Sequence, residues 1–288
     1  FTLGNLVITR DTTTTVVTAA PTQTADGIYQ NKTLDNSTTV ATASQTAGLK
    51  TIDASATTGG VNIWAGVSDA LEGSFVQKYD GLTISGGAGS DFIRNSAKLG
   101  VTTGGAGDDW LIVDGTSGSA DGGVGNDMLI TNLAKVATLT GGAGNDTFDV
   151  TLATQGATTS LASTDAAVSS TADLLITTIT DFSAGDTLKV GATSLTSAVM
   201  VNGTAAVATA TSLFGAIDAA LKATTSTTGI TANVGTDVSV WFTYGGNTYI
   251  AVEKGSTDGF SDGDVVVKLT GIHTLTAAAA PTVATGLF

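Results

Sequence analysis

The chain contains no cysteine. Disulfide staples, thiolate-bound zinc and thiol catalysis are therefore excluded. Histidine occurs once, as His273, and proline twice in 288 residues. A zinc protease needs the paired histidines of H-E-x-x-H, which one histidine cannot supply. A Ser-His-Asp triad would have to use His273, and no G-x-S-x-G elbow accompanies it. Carboxylate-only chemistry has little to draw on. Of the 25 acids only Glu72 and Glu253 are glutamates, far apart in sequence, and the other 23 are aspartates. No catalytic residue is expected. Charged residues are 12%, about half the usual share. Aromatics are 6%, so a core must be built from Val, Ile, Leu and Ala. Basic residues are outnumbered, with a net charge of −14, which argues against a nucleic-acid partner. No apolar run is long enough for a membrane span, and no signal peptide is visible. The chain opens at Phe1 rather than Met, as expected of a processed or excised piece of something longer.

Thr, Ala, Gly and Ser fill the space these absences leave, a composition suited to strands joined by tight turns. Residues 1–48 are Thr-rich, with apolar patches such as FTLGNLVIT that suggest one or two strands. NKT at 31–33 and NST at 36–38 match glycosylation acceptors, a pattern Thr-rich sequence produces easily. Short strands follow at near-regular spacing: LKTID, GVNIWAG and GLTIS. Beyond residue 150, LLITTITDFSAGDTLKVG suggests two strands around an acidic turn. SLFGAIDAALKA, 212–223, is the one strong helix pattern, with Leu213, Phe214, Ile217, Ala220 and Leu221 on one face. VSVWFTYGGNTYIAVE suggests a hairpin turning at GGN. DGFSDGD, with Asp258, Asp262 and Asp264, is either an acidic turn or a further cation loop.

Between these flanks lies a repeat. GGAGSDFIR starts at Gly86, GGAGDDWLI at Gly104, GGVGNDMLI at Gly122 and GGAGNDTFD at Gly141, in steps of 18, 18 and 19 residues. Nonapeptides of this form are a signature of calcium-binding β-helical repeats. Glycines permit positive φ and close stacking. The aspartate adds a carboxylate, and the apolar triplet after it forms a short strand with its middle side chain inward. In a two-sheet roll each coil has two strands of about nine residues with their loops, so an 18-residue step returns to the same edge one coil later. The expected fold is therefore all-β, a parallel β-roll or β-solenoid over 49–150 with its loops stacked about 4.8 Å apart on one edge. It is flanked by β-rich segments and one short C-terminal helix.

Four stacked loops enclose about three gaps, each able to take one Ca²⁺ ion. Asp91 with Asp109, Asp109 with Asp127, and Asp127 with Asp146 would supply carboxylates to successive gaps. Backbone oxygens would complete the sites, from Gly86, Ala88, Gly104, Gly105, Ala106, Gly107, Gly122, Gly123, Val124, Gly125, Gly142 and Gly144. An oxygen-only set suits a hard cation. A phosphate cradle fails, because the aspartate would repel phosphate and no P-loop lysine follows. The intervening half-coils lack the motif, leaving the second edge metal-poor; Asp114 and Asp121 are the only acids that could form a degenerate site there.

The four GGxGxD units resemble the RTX family of calcium-binding bacterial proteins exported by type I secretion. TIDASATTGGVNI and ITDFSAGDTLKVG resemble the flanks of such repeats, and TYIAVEKGSTDGFSDGDVVVKLTG the region carrying the uncleaved export signal. The Thr/Ala/Gly-rich, cysteine-free composition is similar to that of the calcium-dependent surface-layer proteins of Caulobacter and related bacteria. The resemblance implies three regions: a Thr-rich N-terminal β segment, 1–48; a calcium-binding β-roll, 49–150; and a C-terminal β-rich cap with the secretion-signal region, 151–288. It also implies a secreted protein at the surface of a Gram-negative bacterium, folded by external calcium. Its partners would be its own copies in a lattice or filament, cell-surface polysaccharide and the type I secretion machinery. The alternative is the secretion and folding module of an exported enzyme or adhesin whose functional domain precedes Phe1.

Overall fold

The computed structural model of the chain describes residues 6–10, 14–17, 49–65, 81–115, 117–132, 136–152, 176–190, 201–227, 238–253, 260 and 264–275. The sequons at 31–38, and Asp258 and Asp262, lie outside them. The described residues are mostly β, with parallel sheets and one helix. None of the described helical structure is long and apolar enough to cross a membrane. The chain forms two compact units, residues 1–153 with 177–189, and 154–176 with 190–288.

In the first unit, β1 (Leu6–Arg10) and β2 (Thr14–Val17) form an antiparallel hairpin. The chain continues through β3 (Leu49–Asp53), β4 (Asn62–Ala65), β5 (Thr83–Ser85), β6 (Phe92–Asn95), β7 (Gly100–Ala106) and β8 (Trp110–Val113). It goes on through β9 (Ser117–Val124), β10 (Met128–Asn132), β11 (Val136–Ala143), β12 (Thr147–Leu152), β13 (Thr177–Ile179) and β14 (Thr187–Lys189). From β3 onward, successive strands go to alternate sheets. One sheet runs β3-β5-β7-β9-β11-β13, with β1 paired antiparallel to β3. The other runs β4-β6-β8-β10-β12-β14. All pairings within the alternating series are parallel. Phe92 pairs with Trp110, Trp110 with Met128 and Met128 with Thr147, so the repeat period is the strand register.

This register lines up the inward positions. Ile93, Leu111, Leu129 and Phe148, each the middle residue of its triplet, are fully buried. Ile52, Ile84, Thr102, Ala120, Leu139 and Ile179 form the matching column of the other sheet. Buried Asn95 donates to the Leu82 carbonyl at 3.1 Å and to Thr102 Oγ1 at 3.3 Å, and accepts the Ala97 N–H at 3.1 Å. It thereby satisfies the turn into β7, where Leu99 takes a left-handed φ of 58°. Segment 177–189 adds the last strand to each sheet, so the stack runs past the last nonapeptide.

The second unit contains β15 (Val201–Asn202), α1 (Leu213–Thr227), β16 (Val238–Tyr244), β17 (Asn247–Glu253) and β18 (Val265–Leu269). Strands β16, β17 and β18 form an antiparallel meander, and β15 pairs parallel to β16. The Gly245–Gly246 turn has φ of 56° and 78°, the double positive value that a two-residue hairpin of this hand requires. Helix α1 starts at an N-cap, with Ser212 Oγ accepting the Gly215 N–H at 3.1 Å. Leu213, Ile217, Ala220 and Leu221 pack against Val240, Phe242 and Ala251, as the helical spacing predicted. Phe214 meets Phe260 edge-on at 5.8 Å. His273 Nε2 pairs with the Thr270 carbonyl at 2.9 Å, and its N–H donates to Thr248 Oγ1 at 2.7 Å. Asp264 is fully buried in this unit.

Candidate metal centre

The loops from β7 to β8, β9 to β10 and β11 to β12 each carry a GGxGxD unit on the same edge of the stack. The unit that begins at Gly86 joins β5 to β6 in the same place. Each position has a physical reason. A side chain on Gly104 would strike Asp109 Oδ2 and come 2.6 Å from the Gly122 carbonyl oxygen. Gly122 stands in the same relation to Asp127 Oδ2 and the Gly141 carbonyl. The first glycine thus leaves open a spot on which a carboxylate oxygen and the next coil's carbonyl both converge. The second and fourth glycines answer to the backbone: Gly105 and Gly107 have φ of 120° and 115° and lie against Gly87 and Gly89 of the preceding coil. Gly123, Gly125, Gly142 and Gly144 repeat this arrangement. Ala88, Ala106 and Val124 lie between these glycines, with Val124 60% exposed. Its carbonyl already accepts the Gly107 N–H at 2.8 Å.

The aspartates expected to stack do so. Asp91, Asp109, Asp127 and Asp146 are each at most 3% exposed. They are joined in a ladder. The Asp91 N–H donates to Asp109 Oδ1 at 2.7 Å, the Asp109 N–H to Asp127 Oδ1 at 2.8 Å, and the Asp127 N–H to Asp146 Oδ1 at 2.8 Å. Two further contacts extend it beyond the four units. The Val61 N–H donates to Asp91 Oδ1 at 2.7 Å, and the Asp146 N–H donates to Asp186 Oδ1 at 2.9 Å. Each charge-assisted bond of this kind contributes about 1.5–3 kcal/mol.

The rungs are not equivalent. Asp91 Oδ2 also accepts the Gly87 N–H at 2.8 Å, so backbone donors engage both its oxygens. Asp109 Oδ2 and Asp127 Oδ2 are buried with no hydrogen-bond partner. Burial pushes Asp109 up to about 7, helped by the charges of Asp91, Asp127 and Asp108 and opposed by the Asp91 N–H. Burial pushes Asp127 up to about 6, with Asp146, Asp108 and Asp121 adding repulsion. Burial also raises Asp91 and Asp146. An orphaned carboxylate oxygen facing a carbonyl, in a setting that disfavours its charge, fits a hard divalent cation, which would supply the missing partner and offset the charge. The side chains alone do not form a cage: among the described residues no group of three or more acids or imidazoles is placed to hold a metal. Carbonyls must supply much of the ligand set, as expected for this loop.

Sequence reasoning missed three parts of this edge. Asp186, in the SAGD turn, is the next rung, its other oxygen held by the Ser183 N–H at 2.7 Å. Asp181 caps the last repeat loop, accepting the Gly141 and Gly142 N–H groups at 3.0 and 2.8 Å. A second, outer ladder runs through the fifth position of the units: the Asn126 N–H donates to Asp108 Oδ1 at 2.7 Å, and the Asn145 N–H to Asn126 Oδ1 at 2.9 Å. The recurring Asp or Asn at that position was the available signal. On the opposite edge, Asp114 accepts from Arg94 Nε and from Ser96 Oγ, the latter at 3.1 Å. Asp121 is not beside it; it is exposed on β9. The two acids therefore do not combine into a second-edge site.

No protein-family model matches this chain, and a search of curated proteins finds no significant match.

Proposed function

We propose that this chain is a calcium-stabilised structural protein of the bacterial cell exterior: a parallel β-roll of the RTX type, exported by type I secretion, folded by external Ca²⁺ and assembled with copies of itself into a surface layer or related lattice. The observation that carries the metal reading is the pair of buried, partnerless oxygens, Asp109 Oδ2 and Asp127 Oδ2, in a glycine-lined stack. Asp109, Asp127 and Asp146, with the carbonyls of the adjoining glycines, would hold the ions, which would cross-link successive coils. Extracellular calcium modules work at about 10⁻⁴ to 10⁻³ M. At a hundredfold excess over Kd, each such site adds about 2.7 kcal/mol to stability, enough to decide whether a coil folds.

Support for the assembly reading comes from the composition, sparse in charge and without catalytic constellations. The test has two parts. Far-UV circular dichroism in 10 mM Ca²⁺ and in chelator should show strand content gained with the ion. Electron microscopy of the same samples should show ordered sheets or filaments only with calcium. A spectrum indifferent to calcium overturns the metal reading. Calcium-folded chains that stay monomeric overturn the lattice and leave the chain as a folding module of a larger exported protein.

A further inference from the structure

The two sheets of the first unit present different outer faces. The larger one shows mainly Thr and Ser to solvent: Thr51, Thr83, Thr103, Ser119, Thr138 and Thr178 are all incompletely buried. The smaller one instead carries a row of Asn62, Phe92, Trp110 and Met128 in strand register beside the loop edge. Trp110 is 46% exposed, and its ring meets Phe92 at 5.9 Å with the planes tilted by 57°. One row further along, Trp64 is 69% exposed, with the Arg94 guanidinium 4.9 Å from its ring centroid. Aromatics are only 6% of this chain, so three rings on one small outer face is a concentration that core packing does not explain.

An open cleft of about 370 Å³ sits at the loop end of this row, lined in part by Asn62, Ser90, Phe92, Asp108 and Trp110. That volume falls in the range of small-molecule sites, about 300–1,000 Å³. Its chemistry is mixed: aromatic faces on one side, and an amide, a hydroxyl and an exposed carboxylate on the other. A pyranose ring has the complementary form, with an apolar C–H face and a rim of hydroxyls that both donate and accept. Asp108 and the acidic ladder behind it make the surroundings negative, which disfavours anionic sugars and lipids. We propose that this cleft binds a neutral saccharide, Trp110 and Phe92 stacking on the ring while Asn62, Ser90 and Asp108 meet its hydroxyls. Ser90 and Asp108 each directly precede a ladder aspartate, so the saccharide site is formed only when those loops are ordered. The inference deepens the cell-exterior reading by naming a partner class, and it rests on that reading for the source of the sugar.

The test is isothermal titration calorimetry of the full chain in 10 mM Ca²⁺ with maltohexaose, cellohexaose and chitohexaose, and with an oligogalacturonate as the anionic control. Tryptophan emission and sedimentation are followed on the same samples. At least one neutral oligosaccharide should bind and shift the emission, and Trp110→Ala should weaken it tenfold or more without changing the calcium-dependent circular dichroism. Asn62→Ala, on an edge strand, should weaken it at least threefold and serves if Trp110→Ala fails to fold. No binding by any neutral sugar, preference for the anionic one, or unchanged affinity in the variants that fold would overturn the inference. So would self-association that Trp110→Ala abolishes in the absence of any sugar effect, since the face would then belong to a second copy. A chain that folds with calcium but ignores sugars sinks this inference alone; one that binds sugar yet is indifferent to calcium sinks the proposed metal role alone.

Discussion

Asp109→Asn should change sign with calcium and with pH. In the wild-type chain Asp109 Oδ1 accepts the Asp91 N–H, and Oδ2 is buried without a partner, close to the Gly122 carbonyl. An asparagine keeps an oxygen for the Asp91 N–H and turns an NH₂ toward that carbonyl, replacing an orphaned acceptor with a donor. A buried unsatisfied polar group costs about 1–3 kcal/mol, and more when charged. In chelator at pH 8, above the value of about 7 to which burial raises Asp109, the carboxyl is ionised and the substitution should stabilise. With slopes of about 1–3 kcal/mol per molar urea, the gain is about 1 M in midpoint. At pH 5 the wild-type carboxyl is already protonated, and the gain should vanish. In 10 mM Ca²⁺ the order reverses, because the variant forfeits about 2.7 kcal/mol for each ion site it spoils. Urea melts at two pH values, with and without calcium, read all four corners. If Asp109→Asn is less stable than wild type in chelator at pH 8, the orphan-oxygen argument is wrong.

Three further expectations follow from the same geometry. Without cations the first unit should lose stability as pH rises from about 4 to about 7, because Asp109 and Asp127, near 7 and 6 in the fold, hold protons there that the unfolded chain, near 3.8, has released. Saturating calcium should flatten or invert that slope, and urea midpoints against pH would expose a wrong sign. Gly104→Ala should abolish the calcium-induced gain in melting temperature, since a methyl there strikes Asp109 Oδ2; the control Ala106→Gly, at a loop position that is not fully buried, should retain most of it. Leu111→Ala, fully buried and in register between Ile93 and Leu129, should cost about 2.7–5 kcal/mol with or without calcium. Destabilisation under 1 kcal/mol would mean that the column is not a packed core.

The sequence by itself determined what repeats at constant spacing. When a period equals one coil, every element that recurs with it must stack, so Gly104 over Gly122, Asp109 over Asp127 and Leu111 over Leu129 were legible from phase alone. The alternation of inward and outward residues within each triplet followed from strand geometry, and the helix over Leu213–Thr227 from its apolar spacing and its serine cap. What lies off the period was not legible. Asp186 joins the ladder 40 residues after Asp146, because β13 and β14 pair onto the sheets across an insertion, and only packing sets that register. Tertiary structure alone also separated the four look-alike aspartates. Asp91 sits over a coil whose Val61 supplies a donor and beside a Gly87 N–H that closes its second oxygen, whereas Asp109 and Asp127 lie between glycine loops that offer none. A carboxylate's partners come from the coils above and below it, which the local motif does not encode. The aromatic cleft has the same origin: Asn62, Phe92 and Trp110 are far apart in the chain and become neighbours only because parallel pairing places three outward positions side by side.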